Sequence, residues 1–190
     1  RPTLPSCLMD IGSVFLTGFM GVGKSKVGSL LAWRMRRNFL DTDELIEARD
    51  GRAISSIFEE EGEAYFRELE HACVVEACAR GDVVVSLGGG AIVHSRNLEA
   101  VRSAGVLVCL QTDVDTILDR VGRRDDRPLL SGLSEAEKRT RIERMLMERA
   151  PYYDQAHIKM LSNEGSTPEE TADRLAGLLE HWVEERNHTD

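Results

Sequence analysis

The chain has 190 residues and a formal net charge of −9 at pH 7, with 42% hydrophobic and 30% charged residues. That length suits one α/β domain with a sizeable core, and the acidic balance excludes a nucleic-acid partner gripped by a basic surface. No apolar run approaches the ~18 residues needed to cross a bilayer, so a soluble, cytoplasmic protein with no membrane partner is expected.

Residues 1–10 contain two prolines and little charge and lack the apolar core of a signal peptide. They are expected to form a flexible tail, with Met9 a candidate start of translation. The apolar run Ser13-Val14-Phe15-Leu16-Thr17 reads as a buried strand. It leads directly into Gly18-Phe19-Met20-Gly21-Val22-Gly23-Lys24-Ser25, the pattern G-x-x-x-x-G-K-S, and then into a helix over about 24–36 with Val27, Leu30, Leu31 and Met35 at helical spacing. This is a P-loop in its expected strand-loop-helix context. Its glycines let main-chain N–H groups wrap a phosphate at a helix N-terminus, where partial positive charge gathers. Gly21, Val22 and Gly23 would cradle the nucleotide phosphates, Lys24 would reach the β/γ oxygens, and the Ser25 hydroxyl would ligate Mg²⁺.

Beyond the P-loop, the elements alternate. Phe39-Leu40-Asp41 reads as a short strand, and Asp43 as the cap of a helix over 43–49 that ends at Gly51. A short helix over 54–60 precedes Gly62, and a longer one over 63–79 ends at Gly81. Val83 to Leu87 reads as a buried strand stopping at Gly88-Gly89-Gly90, followed by a helix over 96–103 and a strand over 106–110. Asp113 caps a helix to Val121. Residues 122–134 are polar, carry Pro128 and read as a mobile lid. Ser134 with Glu137 forms a capping box for a helix to about 149 that Pro151 should terminate. A weak strand over 157–161 and a helix beginning at Pro168 complete the chain. Five apolar strands separated by helices indicate a single domain over 1–190, a three-layer α/β/α sandwich on a five-stranded parallel sheet.

Ligands in such sheets gather at the carboxyl ends of the strands, where the P-loop, Asp41-Thr42-Asp43 and Gly88-Gly89-Gly90 all fall. Phosphoryl transfer needs metal near the nucleotide and an acceptor hydroxyl held in line. Asp41 is assigned to the metal shell, through water, and Asp43 to the acceptor hydroxyl as orienter or base. As an isolated residue, Asp43 reads more readily as a plain helix cap. The triple glycine suits close approach of a small polar ligand. Cys7, Cys73, Cys78 and Cys109 form neither a C-x-x-C pair nor a zinc-finger spacing and read as reduced thiols, and the five histidines show no metal-ligating spacing.

The P-loop, then Phe39-Leu40-Asp41-Thr42-Asp43, then Gly62-Glu63-Ala64-Tyr65-Phe66-Arg67-Glu68-Leu69-Glu70, then Ser86-Leu87-Gly88-Gly89-Gly90, Arg127-Pro128-Leu129-Leu130 and Arg149-Ala150-Pro151-Tyr152-Tyr153 resemble the ordered motifs of shikimate kinases. The match spans about residues 12 to 180. It implies the P-loop nucleoside monophosphate kinase-like fold and transfer of the γ-phosphoryl of ATP to the 3-hydroxyl of shikimate, with Mg²⁺. It places acceptor-binding helices at 54–80. Arg67 and Arg149 match the family's clamp on the acceptor carboxylate, a task suited to guanidinium forks, and Glu70 is placed to hold Arg67 ready by an ion pair. Arg127 matches the lid arginine that meets the phosphates, and Arg120 and Pro168 match the two sides of the adenine site. Nucleotide binding would thus involve Gly21, Val22, Gly23, Lys24, Ser25, Lys26, Arg120, Arg127 and Pro168. Acceptor binding would involve Asp43, Arg67, Gly88, Gly89, Gly90 and Arg149.

Two departures stand out. Ser25 is followed by Lys26 where the family usually has threonine, which puts an extra cation near the α/β phosphates. Ser162 to Thr167 lacks the aspartate and basic residue common around the adenine loop. Competing readings are a gluconate-type or nucleoside monophosphate kinase, and a non-catalytic nucleotide-binding relative. The paired arginines and triple glycine favour a carboxylate acceptor, and the retained Lys24, Ser25, Asp41, Asp43, Arg67, Arg127 and Arg149 favour catalysis. A monomer is expected.

Overall fold

The computed structural model describes residues 11–121, 130, 132–162 and 165–187. Five strands, β1 (Ser13–Thr17), β2 (Asn38–Asp41), β3 (Val83–Ser86), β4 (Gly105–Gln111) and β5 (Ile158–Leu161), pair in parallel in the order β2-β3-β1-β4-β5. Among the described residues seven α-helices cover them: α1 (Lys24–Met35), α2 (Thr42–Asp50), α3 (Ile54–Ala79), α4 (Ser95–Ala104), α5 (Val114–Val121), α6 (Glu135–Tyr153) and α7 (Pro168–Asn187). The expected three-layer α/β/α arrangement is therefore present.

Alternation along the strands builds the layers. Val14, Leu16, Val84, Val106 and Val108 pack with Val27 and Leu31 of α1 and Leu175 and Leu179 of α7 on one face. Phe15, Val85, Leu107 and Cys109 pack with Val74 and Ala77 of α3 and Leu98 and Val101 of α4 on the other. Burying each such large aliphatic or aromatic side chain contributes about 1.5–3 kcal/mol. A third cluster, Ile46, Ile57, Phe66 and Cys73, fastens α2 to α3.

Several boundaries differ from the sequence reading, each for a local reason. The cap of α2 is Asp41, whose side chain accepts the Asp43 N–H at 3.0 Å, and the helix begins at Thr42. The two helices expected around Gly62 run on as one element with a break at that glycine, whose φ of 81° no helix contains. A 3₁₀ turn at Ala91–Val93 follows the triple glycine. Pro151 lies inside α6, which extends to Tyr153. Proline there removes only one late hydrogen bond, and Asp154 N–H still reaches Ala150 O at 2.9 Å. The Ser134–Glu137 capping box is present, and Thr167 with Glu170 forms a second reciprocal cap at the start of α7. Cys73, Cys78 and Cys109 are free thiols, with burial pushing Cys109 up to about 12. Cys7 and most of the expected lid lie outside the described residues.

Thr17 ends β1 on the face shared with Phe15. Its hydroxyl is fully buried and has no hydrogen-bond partner among the described residues. A buried polar group without a partner costs about 1–3 kcal/mol. Thr17→Val, which keeps the shape and removes the hydroxyl, is therefore expected to raise unfolding stability by about 1 kcal/mol. Urea denaturation checks this; an unchanged or lower midpoint would show that the hydroxyl is satisfied in solution.

Candidate active site

Strand order decides where the chemistry lies. β1 pairs with β3 on one side and β4 on the other, so the loops leaving β1 and β3 diverge at a crevice above their carboxyl ends. The P-loop leaves β1, and the triple glycine leaves β3.

Gly18 opens the P-loop at φ 138°, and a Cβ there would lie 2.3 Å from the Leu110 carbonyl oxygen, so only glycine fits. Gly23 sits at φ 95° as the cap of α1. Lys24 arches back over the loop, its Nζ donating to the Gly18 and Phe19 carbonyls at 2.8 and 3.1 Å. The ammonium is thereby held at the mouth of the main-chain cradle. Val22 is buried, which leaves its main chain to face the loop.

Ser25, Asp41 and Ser86 meet because of register. Leu16 lies opposite Ser86 in the β1–β3 pair, and Asp41 lies opposite the same Ser86 in the β2–β3 pair. The Ser25 hydroxyl donates to Asp41 Oδ2 at 2.5 Å and lies 3.3 Å from Ser86 Oγ. Asp41 thus uses one oxygen on α2 and the other on Ser25. Asp43, the residue expected to be the cap, is released from that task. Its carboxylate packs beside Gly88, where a Cβ would approach Asp43 Oδ1 to 2.9 Å and Glu70 Oε1 to 3.2 Å. Gly88 itself is buried, and its N–H donates to Thr42 Oγ1 at 3.0 Å. Its missing side chain is what lets the two carboxylates approach.

A cavity of about 630 Å³ runs along this rim. Gly21, Val22, Gly23, Lys24, Ser25, Lys26, Asp41, Asp43, Gly89, Arg120 and Pro168 line it, together with Ser86, Ser162, Ser166 and Thr171. Every sequence-assigned nucleotide and metal residue within the described residues is therefore gathered there. Arg120 donates to the Gly21 carbonyl at 3.0 Å, tying α5 to the P-loop. Arg127 lies outside the described residues.

Arg67, Arg149 and Gly90 lie beyond the cavity's end. A Cβ on Gly90 would be 3.4 Å from Arg149 Nη2 and 3.5 Å from both terminal nitrogens of Arg67, so two guanidinium groups from α3 and α6 converge on bare backbone. Arg149 Nη1 and the Tyr153 hydroxyl both donate to the Gly89 carbonyl, at 3.0 and 2.8 Å. Arg67 pairs with Glu70 at 2.9 Å and Glu63 at 3.1 Å, so the ion pair expected from the sequence is present. Each guanidinium also lies over an aromatic face, Arg67 over Phe66 and Arg149 over Phe19. Phe58 packs against Phe66 with ring centres 4.5 Å apart. Glu70 is only 1% exposed; burial pushes its carboxyl above the usual range, while Arg67 and Arg149 pull it down. Thr42, Ser86 and Tyr153 had no role in the sequence reading. Nothing in a strand-end serine or an inter-aspartate threonine announces a partner 44 or more positions away.

A P-loop with a serine-carboxylate pair beside it, and two arginines converging on bare backbone just past the cavity, define a P-loop small-molecule kinase. A family model described as shikimate kinase matches residues 20–180, and the chain belongs to that family. A shikimate kinase from Salinibacter ruber is 47% identical over 76% of this chain and 74% of its own. The structure of a shikimate kinase from Acinetobacter baumannii in complex with shikimate superposes with a TM-score of 0.84 at 35% identity, covering 90% of this chain and 93% of that one. A gluconokinase from Sinorhizobium meliloti shares the fold, with a TM-score of 0.59 at 16% identity over 95% of this chain and 98% of its own. The protein is accordingly an ATP-dependent phosphotransferase acting on an alcohol group.

The resemblance implies that Arg67 and Arg149, which converge on Gly90, bind the acceptor carboxylate together, and removing one of two such partners would leave the other charges uncompensated. Arg67→Ala is expected to weaken acceptor binding by about 2–4 kcal/mol and leave ATP affinity nearly intact. Steady-state kinetics with each substrate varied in turn checks this. Equal weakening of both would refute the division between the two ends of the site.

Proposed function

We propose that the protein transfers the γ-phosphoryl group of ATP to the 3-hydroxyl of shikimate, giving shikimate 3-phosphate and ADP for aromatic amino acid biosynthesis. The observation that carries this reading is the convergence of Arg67 and Arg149 on Gly90, one residue beyond the end of the P-loop cavity. A guanidinium pair over bare backbone suits a carboxylate on a small rigid ring. The solved relative that holds shikimate supports the same choice.

In this reading, Arg67 and Arg149 take the acceptor carboxylate, and the main chain of Gly88, Gly89 and Gly90 supplies a surface without side chains. Asp43 faces the acceptor hydroxyl. It orients that hydroxyl toward the γ-phosphorus and accepts its proton as the new bond forms. Lys24 balances charge on the β/γ oxygens, and Lys26 faces the phosphates from the same first turn of α1. Arg120 and Pro168 flank the base. Arg127 and most of the segment 122–134, expected from the resemblance to act as a lid, lie outside the described residues, while helices within 54–80 wall the acceptor. Residues 1–10, expected as a tail, lie outside the described residues.

The donor set fits Mg²⁺. Among the described residues no cluster of three or more His, Cys, Asp or Glu could hold a metal ion. One hydroxyl, Ser25, beside one carboxylate, Asp41, matches a cation that keeps most of its water and borrows phosphate oxygens. Ser25 would ligate it directly and Asp41 through water. When bound, the ion neutralises charge on the phosphate oxygens during transfer. Among the described residues no helix is long and apolar enough to cross a membrane. We assign the protein to the cytoplasm as a monomer, acting without nucleic acid or membrane.

Coupled detection of ADP release with Mg²⁺ and ATP, comparing shikimate, quinate, gluconate and no acceptor, tests the assignment. Turnover dependent on shikimate is expected; turnover with gluconate alone would overturn it. Lys24→Met should remove most turnover, about 10²-fold or more, with the fold intact by circular dichroism. An unchanged kcat would sink the assignment of Lys24 to the phosphates.

A further inference from the structure

Arg67 and Gly90 come from different elements, α3 and the loop after β3, yet the clamp requires a fixed spacing between them. Asn97 on α4 supplies a connection. It is 1% exposed, and its Nδ2 donates to the Ala91 carbonyl at 2.9 Å, one residue beyond Gly90. That bond fixes the amide's orientation, so Oδ1 is an acceptor facing the Nδ1 of His71 at 2.6 Å. His71 lies on α3 four residues after Arg67, on the same helical face. A chain of two hydrogen bonds therefore runs from the helix carrying Arg67, through a buried amide, to the backbone adjoining Gly90.

The other tethers on this loop come from elsewhere. Thr42 holds the Gly88 N–H, and Arg149 and Tyr153 hold the Gly89 carbonyl. None of these reaches α3. The Ala91 turn also closes on itself, Ala91 N–H to Gly88 O at 3.0 Å and Val93 N–H to Gly90 O at 3.1 Å, so it moves as a unit with the glycines. Apolar packing and the exposed Arg96–Glu68 ion pair also join α3 to α4, but only the His71–Asn97–Ala91 chain links α3 to the turn beside Gly90 by hydrogen bonds among the described residues, and so resists a shift that would carry Gly90 away from Arg67.

We propose that Asn97 and His71 are positioning residues that set the distance between the Arg67 guanidinium and the Gly90 backbone, and thereby the fit of the acceptor carboxylate. The proposal rests on the reading of Arg67 and Gly90 as acceptor-binding groups. A buried amide with both ends engaged resists displacement because either broken bond would leave a polar group unpaired away from water. His71 must carry a proton on Nδ1 to donate to an amide oxygen.

The test is the split between the two substrates in the full-length enzyme. His71→Phe keeps a ring in place and removes the donor, and is expected to raise the KM for shikimate about 3–10-fold. Asn97→Ala breaks both bonds and is expected to raise it more than 10-fold. In both, the KM for ATP should stay within about 2-fold and kcat at saturating acceptor within about 3-fold. His71→Gln, whose amide N–H can still donate to Asn97, should lie closer to the parent than His71→Phe. A shikimate KM unchanged in His71→Phe, or an ATP KM rising in step with it, would overturn the proposal. So would a fall in kcat alone, the mark of a smaller folded fraction. Should Asn97→Ala fail to fold, the His71 pair decides. Absence of shikimate-dependent turnover in the parent enzyme would instead remove the reading on which the proposal rests, whereas a raised KM in Arg67→Ala with none in the His71 and Asn97 variants would defeat this inference alone.

Discussion

The insertion of β3 between β1 and β2 is the constraint on which the site depends. Chain order would place β2 beside β1. Instead both pair with β3, and Ser86 becomes the common neighbour of Leu16 and Asp41. That register brings the Ser25 hydroxyl to Asp41 and opens the crevice between the P-loop and the triple glycine. The strand order follows from burial on both faces. Val83, Val84 and Val85 are almost wholly buried, and only a central place in the sheet, with helices above and below, hides all three.

Around this crevice an acidic protein concentrates cations. Lys24, Arg120 and Lys26 face one cavity, and Arg67 and Arg149 converge just past its end. Such a gathering would repel itself unless each charge were held by something weaker than the ligand. Carbonyl oxygens hold Lys24 and Arg120, aromatic faces flank Arg67 and Arg149, and buried Glu70 neutralises part of the clamp. The buried carboxylate costs desolvation, which two guanidinium groups offset. The cationic side chains are thereby oriented before any ligand arrives.

Legibility in the sequence tracked how local each interaction is. The P-loop was readable because glycine at a positive φ, lysine and serine act within eight consecutive residues. The Ser134 box was readable because both partners lie on one helical turn. The sequence places the cap of α2 at Asp43, and the structure places it at Asp41. Either aspartate could begin α2, and the choice fell to Asp41 because β2 ends there, with its carboxylate free to bond both Asp43 N–H and Ser25. Pro151 reads as a stop because its steric cost is local, whereas packing of Tyr153 into the core carries α6 past it. The two-arginine clamp was available to the sequence reading only through resemblance, since 82 positions separate Arg67 from Arg149.

The sequence by itself determined the elements, their layering and the phosphate cradle, because hydrophobic period, glycine placement and capping chemistry act over a few residues. The tertiary structure decided which strand lies between which, and so brought Ser86 to Ser25 and Asp41, Gly90 to Arg67 and Arg149, and Asn97 to Ala91 and His71. Those contacts join residues tens of positions apart, and no local propensity encodes them. They arise when burying two faces of one sheet fixes the order of its strands.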